Sequence, residues 1–201
     1  MKVAVVGATG NAGRRIVAEL VRRGHTVTAI ARRPEISGAA GVTTALGDVG
    51  QPTALSAVLR GHDAVVSAVR FVDTDPATLI GAVRASGVRR YIVVGGAGTL
   101  EVSPGVRLMD TPAIPDAYRP EVSAGAAFLQ ALRDADDLEW TFLSPSALFF
   151  AGERTGRFRL GRDELLTGEG GSRISYEDFA VALVDELERP AHIRQRFTVG
   201  Y

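Results

Sequence analysis

The chain contains no cysteine. That absence excludes disulfides, thiolate nucleophiles, redox-active dithiols and cysteine-ligated metals. Histidine is nearly as scarce: His25, His62 and His192 are widely separated, which argues against a histidine-based metal site. Lys2 is the sole lysine. Charge of either sign is not in excess, with 23 basic and 23 acidic residues and no basic stripe, so nucleic acid is not an expected partner. No apolar run reaches the roughly 20 residues of a membrane span, so no membrane partner is expected either. The first residues carry no secretory leader pattern, and a cytoplasmic location is expected. Any redox chemistry must come from a bound cofactor.

What the sequence does hold is an alternation of short β-branched apolar runs with helical patterns, the signature of βαβ units around a parallel sheet. Strands are predicted at Lys2–Val6, Thr26–Ala31, Val42–Leu46, Asp63–Ser67, Tyr91–Val94, Trp140–Leu143 and Arg196–Val199. Between them, helices are predicted after the first strand, where Ile16, Val17, Leu20 and Val21 form one stripe, and at Thr53–Leu59, Pro76–Ala85 and Val122–Arg133. A last helix starts at Ser175 and runs to about Glu188, with Asp178 placed for a capping box. The expected fold class is α/β, a doubly wound parallel Rossmann sheet in three layers, with residues 1–201 as one domain. Two irregular stretches, 96–119 and 151–173, follow strands and are expected over the carboxyl edge of the sheet, where such folds bind ligands. The second reads as a small hairpin.

Residues 7–13 read GATGNAG, after a predicted strand and at the opening of an amphipathic helix. Glycine at 7, 10 and 13 allows positive φ and lets backbone approach a diphosphate, which then meets the free amides and positive dipole end of the helix. Gly7, Thr9, Gly10, Asn11, Ala12 and Gly13 are therefore the candidate phosphate cradle of a dinucleotide site. At the end of the second strand, folds that prefer NAD place an acid on the ribose. This chain has Ala31-Arg32-Arg33-Pro34 there. A guanidinium matches a 2′-phosphate, so Arg32 and Arg33 favour NADP(H) over NAD(H). A solvated pair of surface arginines is the alternative.

Together these residues resemble the atypical short-chain dehydrogenases, specifically the NmrA-like, NADH-flavin reductase group. The likeness also rests on Arg23 to Ile30, Gly47-Asp48-Val49, Gly61 to Val66, Phe142-Leu143-Ser144-Pro145, Gly152 to Gly156 and Arg196 to Gly200. The resemblance implies that Asp48 and Val49 contact adenine and that Ser67, Ala68 and Val69 line the adenosine side. It also implies that Gly95, Gly96 and the residues to Thr99 approach the nicotinamide ribose, and that Pro145 touches the nicotinamide. Asp48 also fits a plain turn, and Ser67 to Val69 a plain strand end.

Ordinary short-chain dehydrogenases pair a tyrosine with a lysine four residues later, and the lysine lowers the tyrosine pKa. Here Tyr118 is followed by Val122, so that pair is absent. Reduction of a flavin such as FMN, a quinone or a similar planar acceptor asks less of the protein, because hydride passes directly between stacked rings. Phe71, Phe149 and Phe150 fit the apolar wall of such a site, and equally fit core or loop anchors. Thr99 and Tyr118 are the hydroxyls expected near the nicotinamide and the candidate catalytic residues. The other expectation is a dinucleotide-binding redox sensor without turnover, and more remotely an epimerase- or dehydratase-like enzyme. The histidines read as structural, Asp134, Asp136 and Asp137 as a solvated connection, and the assembly as a monomer or homodimer.

Overall fold

A computed structural model describes residues 1–33 and 40–201. Pro34 lies outside the described residues. The elements in chain order are β1 (Lys2–Val6), α1 (Asn11–Arg22), β2 (Thr26–Ala31), β3 (Val42–Leu46), α2 (Pro52–Leu59), β4 (Ala64–Ser67), α3 (Pro76–Ser86) and β5 (Arg90–Val94). There follow β6 (Glu101–Ser103), β7 (Val106–Arg107), α4 (Arg119–Arg133), β8 (Glu139–Pro145), β9 (Leu148–Phe150), β10 (Arg159–Gly161), β11 (Arg173–Ser175), α5 (Tyr176–Glu188) and β12 (Gln195–Gly200).

The main sheet runs β10-β12-β8-β5-β4-β1-β2-β3, and all its strands are parallel except β10 at the edge. Alternate residues of each strand face opposite layers. Val3 and Val5 meet Ile16, Leu20, Phe179 and Leu183 of α1 and α5, while Ala4 and Val6 face the layer of α2, α3 and α4. Burial on both faces explains why β1, β4 and β5 read as continuous apolar runs rather than alternating ones. The result is a single Rossmann-like α/β domain whose strand order reverses beside β1.

Beyond shifts of a residue at several element ends, two boundaries and one connection differ from expectation. Helix α4 begins at Arg119, because Pro120 sits in the first turn, where a missing amide costs nothing. Strand β8 continues to Pro145, held by β12 through the Thr198–Ser144 and Val199–Pro145 register. The expected hairpin in 151–173 does not form: β10 joins the sheet edge antiparallel to β12, and β11 pairs in parallel with β9.

The capping box before α5 is only half made. Ser175 Oγ accepts the Asp178 amide at 3.0 Å. The Asp178 carboxylate turns instead to Thr155 Oγ1 (2.5 Å), the Gly156 amide (2.7 Å) and the Tyr201 hydroxyl (2.8 Å). It thereby staples the 151–158 segment onto α5. The two irregular stretches also clasp each other: the Glu101 amide donates to the Asp163 carbonyl at 2.7 Å, and the Leu165 amide to the Glu101 carbonyl at 2.8 Å.

Candidate functional site

Where β1 ends, Gly7 adopts φ +81°. Its amide and that of Ala8 both donate to the Ile30 carbonyl, which locks the turn to β2. Gly10 caps α1 with an extended backbone, φ −69°, so positive φ is needed at Gly7 and not at Gly10 or Gly13. Gly13 is required for another reason: a Cβ there would lie inside the van der Waals boundary of the Gly7 carbonyl oxygen.

The Arg14 amide bonds to Gly10, and the preceding amides of Asn11, Ala12 and Gly13 have no acceptor among the described residues. No side chain caps α1 and no acid lies in its first turn. By contrast, Asp75 caps α3 and Ser175 caps α5. Three bare amides at the positive end of a helix dipole fit a diphosphate.

Above this turn is a cleft of about 300 Å³ over the carboxyl ends of β1, β2, β3 and β4. Among the predicted residues it gathers Gly7, Thr9, Gly10, Arg32, Asp48, Val49, Ala68 and Val69. Asp48 also makes the turn that its bland reading allowed, accepting the Gly50 amide at 2.9 Å. Arg70, Asp73 and Thr74 line the cleft as well. Sequence reasoning missed them, although their place just past β4 at the strand-order reversal was an available signal. Arg33 is exposed and lies outside this lining.

Several other predicted residues have different work. Ser67 is fully buried and its hydroxyl pairs with that of Tyr91 at 2.8 Å, so its side chain belongs to the core; burial pushes the Tyr91 phenol well above its usual range. Phe71 is no open wall: it packs 5.2 Å from Phe128 and 6.0 Å from Phe142 between ring centroids. Phe149 packs on Tyr176 and Phe179. Phe150 lines a separate depression with Arg157, Arg173 and Tyr201.

Thr99 accepts from the Arg196 guanidinium at 3.2 Å, and Arg196 is also bound to Asp163, so the hydroxyl serves a loop anchor. Tyr118 is 64% exposed, with no hydrogen-bond partner for its hydroxyl among the described residues. Gly95 is a packing glycine, since a Cβ there would strike the Phe142 ring, whereas Gly96 borders open space. Pro145 is buried in its register with Val199. None of these lines the cleft.

The segment after β9 is docked onto α1 by charge. Arg154 holds the buried Glu19 with two bonds of 2.8 Å, and Arg23 adds a third. Arg154 and then Arg23 keep the Glu19 carboxyl below the usual range, against an opposing push from burial. The histidines are structural: His25 bonds Glu188, His62 bonds Thr28, and His192 bonds Glu186. Asp137 is not merely solvated, because Arg84 grips it with two of its guanidinium nitrogens. Among the described residues no group of acids and histidines is placed to hold a metal, and no helix is long and apolar enough to cross a membrane.

The Bacillus subtilis protein YwnB is 41% identical, covering 99% of this chain and 98% of its own. The crystal structure of a candidate NADH-flavin reductase from Streptococcus pneumoniae is 38% identical with a TM-score of 0.86, covering 100% of this chain and 99% of that one. The NAD(P)H azoreductase of Xenophilus azovorans is 27% identical, covering 98% of this chain and 67% of its own. The sequence profile of the NAD(P)H-binding family matches residues 7–190, and the chain belongs to that family.

Proposed function

We propose that the protein is an NADPH-dependent reductase of a flavin, quinone or similar planar acceptor. The observation that carries this reading is the state of the position that ordinary short-chain dehydrogenases give to lysine. Val122 stands there, packed against Gly98, and Tyr118 one turn earlier projects into solvent. A tyrosine that faces solvent with no lysine beside it lacks the partner such enzymes use to activate it, so carbonyl or alcohol chemistry is without its usual acid. The bound cofactor, when present, supplies a hydride, and a planar acceptor takes it without a fixed proton donor.

The chain's own part is to bind and orient. The bare amides of Asn11, Ala12 and Gly13 hold the diphosphate, and Asp48 and Val49 border the adenine. The Arg32 guanidinium, at the cleft lip where an acid would serve NAD, favours a 2′-phosphate. The names of the pneumococcal and Xenophilus relatives support a reductase.

The test is NADPH oxidation by purified protein with FMN, riboflavin and a soluble quinone supplied in turn. Turnover well above the protein-free control with at least one acceptor is expected. Rates equal to the control with all three would sink the reductase. The missing tyrosine–lysine pair also favours a second reading, a redox sensor. That reading predicts NADPH and NADP⁺ affinities that differ about tenfold or more without turnover, and equal affinities would remove its thermodynamic basis.

A further inference from the structure

The cleft wall formed by residues 68–74 is fixed from outside the cleft. Glu121, in the first turn of α4, accepts the Phe71 amide on Oε1 at 2.8 Å and the Val72 amide on Oε2 at 3.0 Å. Neither amide has a backbone acceptor among the described residues. The same carboxylate lies 3.9 Å from the Arg70 guanidinium, whose other acidic neighbour, Asp73, is at 3.6 Å. Beneath it the Phe71 ring fits against Gly125, where a Cβ would come within 3.0 Å of the ring.

We infer that Glu121 is a positioning residue of the dinucleotide site. It does not line the cleft, but it fixes the two amides in the middle of a segment whose flanks do: Ala68, Val69 and Arg70 before them, Asp73 and Thr74 after. It also lies near Arg70, the second guanidinium on the cleft besides Arg32. A carboxylate offers each of the two consecutive amides an oxygen of its own, and charged acceptors bind amides more strongly than neutral ones. Its place in the first turn of α4 also sets its negative charge beside the positive end of the helix dipole. Glutamine keeps one acceptor oxygen and turns an NH₂ toward the second amide, so its effect falls between those of glutamate and alanine.

This inference rests on the cofactor reading, and the experiment separates the two. Amide hydrogen exchange and NADPH titration are measured on the wild type, Glu121→Ala, Glu121→Gln and Leu132→Val. The last removes one buried methylene about three turns further along the same helix and controls for lost stability. Glu121→Ala is expected to speed exchange at Phe71 and Val72 and to raise the NADPH Kd, each about tenfold. Glu121→Gln loses less, and Leu132→Val leaves both near wild type. Unchanged exchange, faster exchange with unchanged NADPH affinity, or an equal loss in Leu132→Val each overturns the role. A wild type that takes up no NADPH brings down the cofactor reading itself, and the positioning role with it.

Discussion

Replacing Gly10 by alanine separates what the turn needs in order to fold from what it needs in order to bind. The Gly10 backbone, at φ −69° and ψ 169°, is open to any L-residue. A Cβ there would lie 3.3 Å from the Gly7 carbonyl oxygen and 3.7 Å from that of Ala68, a close but tolerable fit. The unfolded chain also loses freedom, so stability is expected to stay within about 1 kcal/mol of wild type. For a domain of this size the melting midpoint then moves by no more than about 4 °C.

The new methyl nevertheless stands on the cleft lining, next to the bare amides of α1. A phosphate pushed off even one of those amides loses a charge-assisted hydrogen bond, about 1.5–3 kcal/mol, or about 10- to 150-fold in NADPH affinity. Gly13→Ala is the contrasting variant. Its Cβ would overlap the Gly7 carbonyl and come within 3.0 Å of Ala8 Cα, so it should damage fold and binding together, by about 1–3 kcal/mol in stability. The assay is NADPH fluorescence titration beside thermal unfolding of the ligand-free protein. Gly10→Ala binding NADPH within about twofold of wild type would refute the cradle.

Three further outcomes are expected. Arg32→Ala should weaken NADPH binding by about tenfold and leave NADH binding unchanged, and parallel losses for both nucleotides would remove Arg32 from the 2′-phosphate. Glu19→Gln leaves Arg154 and Arg23 facing a neutral partner and should cost about 1–3 kcal/mol at neutral pH, less than a fully buried pair because Arg154 is partly exposed. Because the folded-state pKa of Glu19 is depressed, its contribution is complete above the ordinary carboxyl value of 4.5 and fades as pH falls through the lower folded value. The wild-type advantage in denaturant titrations should therefore shrink below about pH 4.5, and an advantage that instead grew on acidification would contradict the assignment. Tyr118→Phe should keep the wild-type reduction rate and its pH profile, and a large drop in kcat would restore Tyr118 as a proton donor.

The first half of the sheet was legible because its signals are local. A β-branched run, a glycine at positive φ and an amphipathic stripe act over a few residues, and β1, β2 and β3 fall where the sequence puts them. The cradle at 7–13 is local for the same reason, being one turn between one strand and one helix. Residues whose meaning depends on distant partners were not legible. An aromatic after a strand reads alike as a ligand wall or an anchor, and Phe128 and Phe142, far along the chain, make Phe71 an anchor. Thr99 looked free to orient a substrate until Arg196, 97 residues away, claimed its hydroxyl. Asp178 matched a capping pattern, yet Thr155 and Gly156 compete for its oxygens.

By itself, then, the sequence determined what chemistry is closed to this protein: with no cysteine and no tyrosine–lysine pair, thiol chemistry and the usual short-chain dehydrogenase acid are both missing, and any redox work needs a bound cofactor. Tertiary structure alone decided which side chains share the cleft above the glycine-rich turn. Strand order brings Asp48, Val69 and Arg70 to one cleft, and long-range hydrogen bonds withdraw Ser67 and Thr99 from it. A hydroxyl or carboxylate binds whatever the fold sets within 3 Å of it, and that distance is fixed by packing rather than by neighbours in the chain.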